Sequence, residues 1–453
     1  MNRKYSLDMT SGPFLKKILI FALPLMLTGL LQLAYNTADV VVVGRFAGKE
    51  ALAAVGSTGS LVNLLVNCFI GVSMGVGVVV ARHIGEQNES AVHKCVHTAV
   101  LVSVIFGIFV GILGFFVSKN ILVLMKAPDD VIDLAAVYLK IYFLGAPGLF
   151  VYNFGASILR ATGDTKHPLY ILSFSGLINV GLNLLLVIVF DMGVSGVAVA
   201  TTVSQYISAL LVMRHLTGLE NSCRVFPRKL HIYKDELAAV LRIGLPAGIQ
   251  NTLFSFSNVI IQSTVNSFGS VAMAAVAAGS NFDSYIYTCT NAISQTTMTF
   301  TSQNMGANKY RNAGKVYRYC IIITIAVGIS MGVFGRVFSE PIVGLFSTDA
   351  QVIELGAQRL ALIMPFYFFC SLMDVAAGQL RGLGKSFESM IICLLGGCGL
   401  RLLWIFTALP LNRSLTTLYW AYPISWAATF FVLFAMYFFV IRKLKRGHPE
   451  RFA

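Results

Sequence analysis

The chain has 453 residues, of which 56% are hydrophobic and only 12% charged, and a mean hydropathy of +0.75 excludes a water-soluble enzyme or binding domain. A net charge of +14 raises nucleic-acid binding, but the basic residues flank apolar runs without aromatic interleaving, as orienting charges in a membrane protein do. Eight cysteines lie mostly in apolar stretches with no Cys-x-x-Cys, which argues against a disulfide framework and a zinc knuckle and leaves them as small core residues.

At the N-terminal end no short apolar region precedes a small-residue cleavage site; Lys16 and Lys17 lead into a long apolar run, read as a retained first span. A bilayer core of about 30 Å needs roughly 20 apolar residues per helix. Apolar runs fall at about 15–44, 52–79, 91–117, 131–155, 167–190, 193–213, 237–267, 272–301, 313–336, 352–378, 387–410 and 416–440. The predicted fold is therefore all-α, with twelve transmembrane helices.

With the N-terminus in the cytoplasm, 24 of the 34 Lys and Arg face inward, from Arg3 and Lys4 to Arg451, against six outside: Arg45, Lys49, Lys119, Lys126, Arg336 and Arg413. The positive-inside rule then puts both termini in the cytoplasm of a multi-pass cell-membrane protein. The two halves resemble each other. At an offset of 222, Leu23-Pro24 pairs with Leu245-Pro246, Phe46 with Phe268 and Ala53 with Ala275; at 221, Gly85 pairs with Gly306, Lys94 with Lys315 and Leu159-Arg160 with Leu380-Arg381. Six spans per repeat imply two pseudo-symmetric lobes in the same orientation around a central cleft, the plan of an alternating-access carrier. The expected organisation is an N-terminal lobe over 1–213, a cytoplasmic linker over 214–236 carrying Arg224, Pro227, Arg228 and Lys229, and a C-terminal lobe over 237–453.

Charges inside spans are informative, because each costs about 2.5–3.5 kcal/mol at the helix centre. Asp39 lies in the first span, where Gln32, Asn36 and Asp39 share a face by helical spacing. One carboxylate beside amide oxygens suits a proton or a hard cation. Asp283 in the eighth span would contact a cationic substrate or pair with the mid-span Arg401, and Asp374 would pair with Arg381 seven residues on. Lys140, Arg242 and Arg359 are read as snorkelling residues near span ends.

Gly71-Val-Ser73-Met-Gly75 matches a nucleophile-elbow pattern but lies in an apolar helix with no preceding strand, so close helix packing is the better reading, as for Gly107 and Gly111. The seven histidines gather toward the cytoplasmic side without a His-Glu-x-x-His or paired carboxylates, and no metal site or catalysis is expected from them. Pro24, Pro147, Pro246, Pro365 and Pro423 fall where they would bend spans.

Tyr35-Asn-Thr-Ala-Asp39-Val-Val-Val-Val-Gly44-Arg45, Leu159-Arg-Ala-Thr-Gly163-Asp164, Gly193-Val-Ser-Gly196, Thr301-Ser-Gln303-Asn304-Met-Gly306-Ala307 and Leu380-Arg381-Gly382, in this order and duplication, resemble the multidrug and toxic compound extrusion (MATE) transporters. The resemblance covers nearly the whole chain. It implies export of organic cations in exchange for Na+ or H+, through an acid of the first span and polar residues of the fifth and sixth. Position by position, that coupling site comprises Asp39, Asn179, Asn183 and Thr201, with Gln32 and Asn36 nearby, and these four would hold Na+ where Na+ is the coupling ion. Asn183 departs from the Asp of many members, leaving one carboxylate instead of two. The C-terminal cation site of some members is not matched: Phe254 stands near where their Glu falls, and Asp374 sits about one turn late.

The expected substrate cleft includes Asp283, Asp374, Tyr35, Tyr285 and Arg401. The expected partners are small organic cations and membrane lipid, with no nucleic acid, no cofactor and no obligate protein partner. A lipid-linked oligosaccharide flippase of the same superfamily is the main rival, though it would call for several deep basic residues, and only Arg401 sits so deep. A channel or a sensor is the reading from another class.

Overall fold

A long apolar run in lipid has one local solution, a helix that satisfies each backbone N–H within its own segment. The computed structural model describes residues 7–124 and 129–452, and among them there is no strand. Arg3, Lys4 and Lys126, used in the charge count, lie outside the described residues. The helices are α1 (Phe14–Val42), α2 (Lys49–Gly85), α3 (Glu89–Leu124), α4 (Asp129–Leu144), α5 (Ala146–Ala161), α6 (Lys166–Leu184), α7 (Gly193–Thr217) and α8 (Lys234–Asn266). They continue with α9 (Ser270–Gly306), α10 (Tyr310–Val337), the short α11 (Ser339–Gly344), α12 (Ala350–Ile363), α13 (Tyr367–Gly382), α14 (Ser386–Cys393), α15 (Leu400–Leu411) and α16 (Leu415–Gly447).

Several of these are segments of one span. α12 with α13 and α14 with α15 form single apolar spans, and α4 with α5 forms another that bends by 46°. Among the described residues, ten helices are long and apolar enough to cross a membrane, eleven with the bent pair. α9 completes the expected twelve; it has 37 residues, but its Ser, Thr, Asn and Gln lower its hydropathy. Of the prolines expected to bend spans, Pro147 opens α5 at the 46° bend and Pro365 lies in a 3-10 turn between α12 and α13, while Pro24, Pro246 and Pro423 lie within the continuous helices α1, α8 and α16.

The internal repeat is written into the backbone. α2 and α9 have 37 residues each and start 221 positions apart, after Gly48 and Gly269 at φ +89° and +98°. Gln87 and Asn308 share positive φ (56° and 58°), as do Gly163 and Gly384 (91° and 83°). The slip from 222 to 221 therefore lies before Gly48, and Ala53 pairs with Ala274 instead of Ala275. Between Pro24 and Gly48 the first half has one residue more than the second between Pro246 and Gly269. A π-helical stretch at Val43–Ala47 absorbs it, which is what a π-bulge does with an insertion.

The chain forms two compact units: Met1–Asp8 with Leu27–Gly248, and Met9–Met26 with Ile249–Ala453. The division falls inside α1 and inside α8. In the first unit α5 packs on α7, α3 and α2, and α6 on α7. Glycines set the closest crossings, as expected of Gly107 and of the Gly71 to Gly75 stretch. A Cβ at Gly107 would stand 2.4 Å from the Pro147 Cα, and one at Gly71 would stand 2.1 Å from the Gly248 nitrogen. In the second unit α9 packs on α13, α10 and α12, and α13 on α16. The start of the chain is fastened there by Phe21 edge-on to Phe300 at 5.4 Å and by Asn304, whose Nδ2 donates to the Met9 carbonyl at 2.8 Å.

Candidate functional site

Three helices of the first unit bring the sequence-predicted polar residues together. Asp39, half-buried on α1, accepts a hydrogen bond from Asn183 Nδ2 on α6. The same Nδ2 lies 3.4 Å from Asn179 Oδ1 one turn earlier, and Asn179 Nδ2 lies 3.4 Å from Thr201 Oγ1 on α7. Asn179 and Asn183 are 5% and 0% exposed, so the two amides are buried while Asp39 and Thr201 are half-buried. Asn183 Oδ1 is buried and has no hydrogen-bond partner. A lone carboxylate, an orphaned amide oxygen and a threonine hydroxyl form a set of hard oxygen donors, which fits a proton or a hard monovalent cation better than a soft metal.

Not every predicted neighbour joins this network. Gln32 and Asn36 are exposed on α1 and take no part in the hydrogen bonds above. Tyr35 turns to α6, where its hydroxyl donates to the Ser173 carbonyl at 3.2 Å and its ring fills the space a Cβ at Gly176 would need.

In the second unit the expected ion pairs are redrawn. Asp283 on α9 does not pair with Arg401; its Oδ2 takes the guanidinium of Arg359, on α12, at 2.6 Å. Arg359 is 3% exposed, so it is a buried partner and not a snorkelling residue. A signal for this was present in the sequence: Gly279 lies one turn before Asp283, and a Cβ there would stand 2.7 Å from Arg359 Nη1, so the glycine is the notch that admits the guanidinium. Arg401, 4% exposed, donates from Nε to the Ser425 hydroxyl at 3.0 Å and lies over the rings of Tyr422 and Trp426 at 4.7 and 5.6 Å. Its charge is held by cation–π contacts from its own unit.

Asp374 forms no ion pair with Arg381. Asp374 Oδ2 is buried without a hydrogen-bond partner, while Arg381 donates to Gln250 Oε1 at 2.9 Å; the seven-residue spacing placed them on one face but left the contact to the neighbouring helix. Tyr285 is exposed on α9. Phe254, where a carboxylate would be needed for a second cation site, rests its ring against Gly397. Ile261, which the repeat pairs with Asp39, is 3% exposed and apolar, so the repeat position of the Asp39 carboxylate in the second unit holds no carboxylate.

These helices and repeats carry a family signature: the MatE family model matches residues 24–185 and again 246–407. The chain belongs to the MATE family. The two matches start 222 residues apart, in agreement with the internal repeat. Among similar MATE proteins is the probable multidrug resistance protein YpnP of Bacillus subtilis, 29% identical over 402 residues and covering 89% of each chain. The FAD transporter of Shewanella oneidensis is 26% identical over 395 residues, covering 85% of this chain and 86% of that one. The fold matches that of a MOP superfamily transporter from Pyrococcus furiosus with a TM-score of 0.91 at 21% identity, over 96% of this chain and 98% of that one. This MATE chain is accordingly a multi-pass membrane transporter, built on twelve spans.

Proposed function

We propose that this MATE protein is a secondary antiporter that exports amphiphilic organic cations in exchange for H+ or Na+, with Asp39 as the coupling carboxylate. The observation that carries this reading is the isolated pairing of Asp39 with Asn183 in a network extending to Asn179 and Thr201. A carboxylate in an apolar helix is costly to keep charged, and whatever occupies it, proton or cation, changes which hydrogen bonds it accepts. Because its partners sit on α6 and α7, that change alters how α1 is held to both helices. A ligand shifts a conformational equilibrium only through such a difference in affinity for the two states.

The relatives named as multidrug resistance proteins support a drug-like cation as cargo. A lipid-linked oligosaccharide is the weaker reading, because the deep Arg401 is already occupied by Ser425 and two aromatic rings. In the proposed topology both termini are cytoplasmic, and one chain suffices for transport.

The test is ethidium movement in proteoliposomes carrying wild type or Asp39→Asn, driven in turn by an imposed Na+ gradient and an imposed pH gradient. Transport driven by one gradient and lost in the variant is the expected result. No ethidium movement under either gradient refutes the multidrug reading. A second cargo class is favoured by the likeness to the Shewanella FAD transporter, and movement of FAD instead of ethidium in the same vesicles would establish it.

A further inference from the structure

The junction of α5, α6 and α7 holds a second cluster of titratable groups, which the Asp39 network does not use. Asp164, in the turn after α5, directs Oδ1 to the backbone N–H groups of Lys166 and His167 at 3.2 and 3.1 Å. Its Oδ2 faces two imidazoles, His167 Nδ1 at 2.5 Å and His215 Nε2, from the end of α7, at 3.6 Å. The two rings stack with centroids 4.0 Å apart. His215 Nε2 is buried and lacks a hydrogen-bond partner. The three donor atoms lie within 4.8 Å of one another, and an open groove of about 320 Å³ lined by His167, Tyr170, Ile171, Leu211, Arg214 and His215 reaches the imidazoles.

Closing this turn does not require histidine. At the 221 offset, Lys385 and Glu388 occupy the positions of Asp164 and His167 and pair with each other at 2.8 Å, and Met436 occupies the position of His215. The second repeat thus builds the same turn without an imidazole.

We propose that Asp164, His167 and His215 form a three-ligand site for a divalent transition metal of the zinc class, with water from the groove at the fourth position. Two imidazoles and a carboxylate suit Zn2+, Co2+ or Ni2+ and disfavour Na+ or Mg2+. Metal–ligand bonds of about 2.0–2.2 Å around a tetrahedral ion set donors about 3.3 Å apart, between the two separations found here. On loading, the proton shared by Asp164 and His167 passes to water and the ion takes its place. The ion then ties the end of α7 to the α5–α6 turn, and so acts on the two helices that carry Asn183 and Thr201.

The full-length protein, purified without a polyhistidine tag and placed in nanodiscs, is titrated with Co2+. The expected result is one Co2+ per chain by equilibrium dialysis, with the visible d–d absorption of a tetrahedral centre. Both should be lost in His167→Gln and His215→Gln and kept in His93→Gln, while thermal melting without metal reports that each variant is folded. His215→Cys should retain the ion and add a thiolate-to-cobalt charge-transfer band. Absence of saturable Co2+ binding by wild type, binding that survives both histidine variants, or binding that follows His93 overturns the proposal.

Discussion

Asp39 shows how much of a polar site a single residue can announce. A carboxylate in an apolar run is readable from sequence because its cost in lipid is high; its partners Asn179 and Asn183 were nameable only through the family resemblance, since amides in a span are equally served by ordinary interhelical hydrogen bonds. A charge-assisted hydrogen bond is worth about 1.5–3 kcal/mol. Asn183→Leu should therefore lower coupled transport by about ten- to a hundredfold, with protein level in the membrane unchanged, as read by initial rates in proteoliposomes. Asn183→Asp would add a second carboxylate beside the first and is expected to make transport Na+-dependent; identical rates with and without Na+ would contradict that. Asp283 and Arg359 form a buried pair, and removing one partner of such a pair costs about 3–5 kcal/mol. Asp283→Asn should lower the melting temperature, and adding Arg359→Gln should recover part of the loss. Cys223, in the α7–α8 connection, is 1% exposed, and burial pushes its thiol up to about 12. As the sole cysteine of a variant, it should resist iodoacetamide at neutral pH until the protein is denatured.

Among the elements, the glycines separate packing from mere flexibility. Gly71 and Gly75 on α2 meet Gly248 and Gly244 on α8 with backbones in contact. Gly71→Leu has nowhere to place its side chain and should abolish the folded protein, as measured by size-exclusion recovery in detergent. At Gly181 on α6 an added Cβ would meet nothing within 4 Å, so Gly181→Ala should be neutral or raise stability by about 0.5–1 kcal/mol through helix propensity. The small residues were legible from spacing, but not which of them mattered. That depends on the opposing helix, to which periodicity is blind. The π-stretch at Val43–Ala47 illustrates the same limit: an extra residue can be counted between two repeats, but only the folded backbone places it.

For the molecule as a whole, duplication and charge asymmetry do most of the work. The repeat carries one backbone plan twice, with Gly48 matched by Gly269 and Gly163 by Gly384 at positive φ, while the chemistry has diverged: Ile261 stands at the repeat position of Asp39, and Glu388 at that of His167. One coupling site per chain is expected to follow. The basic residues predict that a fluorescent protein fused at the C-terminus will fluoresce and that alkaline phosphatase fused there will stay inactive; the reverse pattern would invert the proposed topology.

Sequence alone determined the solvent, the helical class, the span count and the duplication, because burial in lipid demands long apolar helices and each repeat leaves its own glycine and proline marks. It also isolated Asp39, since an intramembrane charge is conspicuous against so apolar a background. Tertiary structure alone decided the partners: Arg359 for Asp283, aromatic rings for Arg401, and His215 for Asp164 across 51 residues of chain. Pairing is settled by which helix faces packing brings together, and residues far apart in sequence carry no local period that records it.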